Sequence, residues 1–222
     1  MKFNVLKKSI VSFLAIGVIF LQVAAPVSAE VVVSGAKWTN TVTVSGVKYL
    51  NTPVNTTYLA TNWQTPGSTA VSNWTNYSGS YVKASVQNNS TSKVDCASKV
   101  SGTWYSWAPA NAYAITNIQD SSGVWAYNFN TGASNSLGTS FVYAQIYTNP
   151  MYDSNSDLSQ TSKTYVLTHE IGHTQNLGHT QSQTTASVMR TGYASYSWAN
   201  YDRPQDYDRA VLVALYQTYL GR

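Results

Sequence analysis

The stretch "VLTHEIGHTQNLGH", residues 166 to 179, holds all three histidines of a 222-residue chain: His169, His173 and His179. It also holds Glu170, one of only two glutamates, the other being Glu30. On a helix, residues four apart are rotated by about 400°, so His169 and His173 project from one face, one turn apart. Two imidazoles placed this way can share one metal ion. Glu170, rotated by about 100° from His169, lies beside that ion, where its carboxylate can take a proton from a water the metal activates. This is the H-E-x-x-H arrangement of zinc hydrolases.

A catalytic zinc needs a third protein ligand and an open fourth position. No glutamate lies downstream of the motif; His179, six residues after His173, is the remaining imidazole, and Asp202, Asp206 and Asp208 are the acids that follow. For His179 to reach the same ion, the helix must stop soon after His173 and the chain must reverse. A left-handed residue does this, and glycine is the usual choice. Here the candidate is Asn176, one of the few other residue types that tolerate that conformation, with Gly178 two positions later.

Outward from the motif, the spacing predicts a helix from about 161 to 175, with Ser159, Thr161 or Ser162 as its N-cap. Before it, Asp153, Asn155 and Asp157 offer oxygen ligands at alternate positions, as a calcium loop does. Leu158 replaces the glycine such a loop needs and Thr164 its distal carboxylate, so a turn of Asx hydrogen bonds is read there, with Ca2+ as the alternative. After "RPQD", Asp206 can cap a last helix whose apolar face is Val211, Leu212, Leu215 and Tyr219. Upstream, "TVTVSGVKYL" (41–50) reads as strand or hairpin, and a short helix is expected from Pro66-Gly67 to Gly79. "SYVKASVQ", "GVWAYNF" and "SFVYAQIYTN" read as strands between Gly, Ser and Asn turns. The order is α+β, or mixed α/β.

The first residues, "MKFNVLKKSIVSFLAIGVIFLQVAAPVSAE", set Lys2, Lys7 and Lys8 before an apolar run that ends in Val27-Ser28-Ala29. This is expected to be a signal peptide over 1–29, followed by one domain over 30–222. The apolar run is shorter than the roughly 20 residues of a membrane span. Its removal takes away three of thirteen Lys and Arg and none of nine Asp and Glu, so the formal charge falls from +4 to +1. No basic cluster remains, which argues against nucleic acid as a partner. The expected protein is secreted and monomeric, with retention at a bacterial cell surface left open. Cys96 is the single cysteine and cannot form an internal bridge. It reads as a small buried hydrophobe, the alternative being a thiol that blocks zinc.

"HEIGHTQNLGH" resembles the metzincin metallopeptidases, whose pattern is H-E-x-x-H-x-x-G-x-x-H followed by a methionine turn. It departs from them at Asn176, where the family has glycine. "SVMRTGY" puts Met189 where the Met-turn falls, and the resemblance implies that Met189 packs beneath the metal. The tail is most similar to the matrixin branch. Tyr193 falls where matrixins line the pocket for the residue after the scissile bond, although Thr191 replaces their proline. "PQDYDRAVLVALY" is similar to the matrixin terminal helix, with Asp208 at a position that holds the C-terminal subdomain. "FVYAQIYTN" is similar in place to the edge strand that binds substrate.

The resemblance implies a twisted, mostly parallel sheet packed with an active-site helix and an early helix, then a small C-terminal subdomain. It implies one catalytic Zn2+ on His169, His173 and His179, with Glu170 as general base, and a protein or peptide substrate. No histidine is left for a second zinc. Two alternatives stand beside this reading. One is an exported, Tyr- and Trp-rich module that binds glycan or cell-wall polymer around a structural zinc; the other is a zinc hydrolase of a non-protein amide.

Overall fold

The computed structural model describes residues 36–154, 156, 158–180, 185–190 and 201–222. The expected signal peptide and Tyr193 lie outside them. Among the described residues no helix is long and apolar enough to cross a membrane. The elements run β1 (Lys37–Trp38), β2 (Thr41–Val44), β3 (Val47–Tyr58), α1 (Thr61–Tyr77), β4 (Val82–Val86), β5 (Val94–Ser98), β6 (Ala114–Asp120), β7 (Ser140–Thr148), a 3-10 turn (Pro150–Tyr152), α2 (Gln160–Thr174) and α3 (Asp206–Leu220). The architecture is α+β, a mixed sheet of mostly parallel strands with three helices.

β3 pairs in parallel with β4 over residues 50–54 and with β5 from Val54 onward, on opposite sides, because Val54 faces both. β5 then pairs in parallel with β7, and β6 lies antiparallel on the far side of β7. The sheet is therefore β4-β3-β5-β7-β6. β1 and β2 fill the gap between the starts of β7 and β3, in line with β5. Pro53 sits inside β3 where a proline should break a ladder. Its carbonyl turns to Lys93, so its nitrogen faces the junction where β2 has ended and β5 begins, and no donor is needed there.

α1 and α2 cover one face of the sheet, and one apolar cluster runs from Ala36 and Trp38 through Trp63, Trp74, Phe141 and Leu167 to Leu220. α1 begins five residues before the expected Pro66, and Pro66 lies inside it. Proline there leaves the carbonyl of Asn62 without its helical partner, and the Gln160 amide of α2 donates to it at 3.1 Å. The other face is covered by the loops after β5 and β6, whose aromatic rings pack on Tyr143 and Tyr147 of β7.

Three expectations need correction. "GVWAYNF" forms no strand; it meets β6 through an isolated bridge at Trp125 and through the Asn117 side chain, which accepts from the Tyr127 N–H and donates to its carbonyl, and its rings enter the aromatic layer. β7 is an interior strand, and the edge on its side of the sheet is β6. α3 is capped by Gln205 rather than Asp206, through a reciprocal pair with Asp208, and its buried seam is Asp208, Leu212, Tyr216 and Leu220. At α2 the expected Ser159 is the cap, accepting from the Ser162 N–H at 3.1 Å.

Candidate metal centre

α2 ends where the histidines need it to end. Asn176 has φ +59°, the left-handed conformation the reversal requires, and Gly178 is not among the residues with positive φ. The Leu177 N–H donates to Gly172 O at 3.2 Å and the Asn176 N–H to His173 O at 2.9 Å, the paired bonds of a Schellman cap. Asparagine adds what glycine cannot, a side-chain donor, and its Nδ2 reaches Ala36 O at 2.9 Å. The reversal carries His179 back over the helix face that bears His169 and His173.

The three Nε2 atoms stand 3.0 Å from one another in every pair. Nδ1 of His169 lies 2.8 Å from Val188 O, and Nδ1 of His173 lies 2.9 Å from Leu177 O. A carbonyl can only accept, so in His169 and His173 Nδ1 carries the proton and Nε2 is left to turn a lone pair inward. Bare lone pairs at that spacing repel, and a shared cation removes the conflict. Nitrogens spaced this way can all stand about 2.0–2.1 Å from one ion, the length of a zinc–imidazole bond. Burial, then the neighbouring His173 and His179, holds the His169 pKa well below its ordinary value, which keeps the ring neutral for coordination. Three histidines are thus placed to hold a metal ion, and among the described residues no Cys, Asp or Glu joins them as a fourth member.

Glu170 is buried, 3% exposed, and turns toward β6. The Thr116 hydroxyl donates to its Oε2 at 2.5 Å and lies 3.1 Å from its backbone carbonyl. Burial pushes the Glu170 carboxyl up to about 7, and the Thr116 hydroxyl pulls the other way. A dication beside it would also pull it down.

Met189, 2% exposed, lies under the site against Gly172. A Cβ on Gly172 would stand 2.4 Å from the Met189 sulfur and 3.0 Å from Trp74 Cζ2, so only glycine lets the methionine approach the helix. Asp208 anchors the turn that presents Val188. It accepts from the Ser187 hydroxyl at 2.5 Å, the Val188 N–H at 2.9 Å and the Gln205 N–H at 2.8 Å. The path Asp208, Val188, His169 ties α3 to an imidazole of the candidate metal group.

The other candidates fall elsewhere. Cys96 is buried in β5, outside the histidine group, and burial, with Asp95 and Glu170, pushes its thiol upward, which suits packing and not a thiolate ligand. Asp206 pairs with Arg209 at the surface, and Asp202 contributes its carbonyl to Thr168 and Asn73. In the loop from Asp153 to Asp157, the carbonyls of Asp153 and Ser154 each receive the buried Lys163 ammonium at 3.2 Å; Asn155 and Asp157 lie outside the described residues. Thr116, Ser187 and Gly172 went unread in the sequence. Only Thr116 carried a signal, the β-branched alternation of "AITNI". No protein-family model matches the chain, and no curated protein matches it either.

Proposed function

We propose that this chain is an exported zinc-dependent endopeptidase of metzincin type. The observation that carries the reading is a buried carboxylate, Glu170, next in sequence to one of three converging Nε2 atoms that no fourth side chain joins among the described residues. A structural zinc usually has four protein ligands, and a scaffold has no use for an acid at an open position. Imidazole donors also suit copper, iron and nickel, so zinc rests on the three-histidine set together with the acid beside it.

His169, His173 and His179 would hold the ion as neutral imidazoles. When bound, zinc supplies Lewis-acid polarisation of a carbonyl oxygen and acidification of water. Glu170 accepts the proton of the attacking water and returns it to the leaving amine, the work of a base and acid tuned near neutral pH. Val188 O and Leu177 O keep His169 and His173 in the tautomer that leaves Nε2 unprotonated.

A peptide substrate is supported by β6. The Ile118 carbonyl accepts from Ala126 on the side away from β7, so by alternation the Thr116 N–H and C=O also face outward. An extended peptide can add there as a strand and pass beside Glu170. The glycan-binding alternative has less support, because the half-buried Tyr105, Trp107 and Tyr127 rings stack on one another at 5.2 and 5.8 Å, which occupies ring faces that a sugar would need. The test is cleavage of casein or a peptide library by the zinc-loaded protein and by Glu170→Gln, with zinc content measured in both. Cleavage by the parent and loss of it in a zinc-replete variant is the expected result; equal cleavage by both would refute the mechanism.

A further inference from the structure

Resting on the peptidase reading above, we propose that Thr116 is a positioning residue that fixes the Glu170 carboxylate for proton transfer from the strand that receives the substrate. Glu170 has three rotatable side-chain bonds, and in a buried site its carboxylate needs a partner to hold one rotamer. Thr116 supplies it from a stiff base. Its β-branched side chain has few χ1 options, it is 8% exposed, and its strand pairs with β7 along its whole length.

One hydroxyl touches Glu170 twice, at Oε2 and at the backbone carbonyl, so it fixes the carboxylate relative to the helix that carries His169 and His173. With Oε2 engaged, proton acceptance falls to Oε1. The backbone of the same residue faces the outer edge of β6, where a peptide would pair. Thr116 thereby sets the distance between the base and the bound chain. It does so through two separable groups: the main chain for binding and the hydroxyl for the base.

That separation defines the test. Thr116→Val removes the hydroxyl at constant shape and keeps the main chain, whereas Thr116→Ser keeps the hydroxyl. In the zinc-loaded protein with a peptide substrate, Thr116→Val should lower kcat by about 10- to 100-fold with KM within about twofold, since small displacements of a catalytic group cost that much. Zinc affinity, read by chelator competition, should not change, and Thr116→Ser should recover kcat to within about threefold. Crystal structures of the zinc-free variants should show the parental Glu170 rotamer with Ser and a different one with Val.

Unchanged kcat in Thr116→Val, an equal loss in both variants, or a loss that tracks zinc content would overturn the proposal, as would an unmoved Glu170 in the Val structure. Failure of the peptidase reading looks different. There the parent cleaves nothing, or Glu170→Gln cleaves as fast as the parent, and the role of Thr116 falls with it.

Discussion

Replacing Asn176 tests whether the chain reversal builds the metal centre. Asn176→Ala removes the Nδ2 bond to Ala36 O, 2.9 Å long, which is worth about 0.5–1.5 kcal/mol. It also puts a residue with no compensating side chain at φ +59°, where a Cβ costs roughly 1–2 kcal/mol. Asparagine already bears part of that cost, so the sum is about 1–3 kcal/mol. Asn176→Gly loses the same bond and adds about 0.4–1 kcal/mol of unfolded-chain entropy, but it relieves the backbone, so its net loss is about 1 kcal/mol. The expected stability order in zinc-free protein is Asn, then Gly, then Ala, read by chemical denaturation. Zinc affinity, read by chelator competition, should hold in the Gly variant and fall in the Ala variant to the extent that the backbone relaxes and withdraws His179. An Ala variant as stable and as tight for zinc as the parent would refute the reasoning, and so would Gly ranking below Ala.

Gly172→Ala should destabilise by about 1–3 kcal/mol through overpacking against Met189, and the same change in a Met189→Ala background should cost less; equal costs in the two thermal denaturation series would separate the residues. Asp120 contributes to stability in acid. Burial pushes its carboxyl upward, but the N–H groups of Gly138, Val124 and Ser122 outweigh this and bring it below 3.8. The unfolded carboxyl titrates near 3.9, so the stabilisation is present above about pH 4 and is lost as pH falls through the lower folded value. Asp120→Asn should flatten that acid limb in urea titrations, and an unchanged slope below pH 4 would count against it. Removing metal should lower the melting temperature without abolishing cooperative unfolding: saturation at one hundred times Kd is worth about 2.7 kcal/mol. A zinc-free protein with no calorimetric transition would show instead that the fold depends on the ion.

The site was more legible than the sheet, and the reason is sequence range. His169, Glu170 and His173 are arranged by one helical turn, and the reversal at Asn176 is a property of the asparagine itself. The sheet depends on neighbours far along the chain. β5, "VDCAS", was missed because Asp95 and Ser98 look like loop residues until the Tyr143 hydroxyl of β7 is seen to donate to Asp95 and the Thr148 hydroxyl to pair with that of Ser98. The extension of β3 through "NTPVNTTY" was missed because Thr52, Asn55 and Thr56 are buried polar residues, with Asn88 supplying an acceptor for the Thr56 N–H. β7 was expected at the edge from its likeness in place to a matrixin strand. Its ladder instead has β5 on one side and β6 on the other, neighbours that no pattern within β7 announces. The carbonyls of Val188 and Leu177, which set the histidine tautomers, belong to the backbone and leave no mark on residue type.

The end of α2 explains why a chain with no disulfide and few charges can hold three imidazoles with their Nε2 atoms 3.0 Å apart. The last carbonyls of a helix ordinarily turn to water or to a cap, and those of a ligand-bearing turn would let it fray. Here Gly172 O receives the N–H groups of Gln175 and Leu177, and His173 O receives that of Asn176. Gln175 O receives the Tyr216 hydroxyl at 2.8 Å, which in turn accepts the Trp38 N–H at 2.9 Å. One hydroxyl of α3 therefore joins the first strand to the end of the histidine helix, while Asp208, two turns earlier on α3, holds the turn that orients His169. Both anchors sit on the same buried seam as Leu212 and Leu220, so the apolar packing of α3 and the alignment of the ligands are one cooperative event. Most of the ordering that binding would otherwise impose on the histidines is completed on folding. It follows that loosening α3 at Tyr216 should weaken metal binding from a residue that touches neither the ion nor any of its ligands.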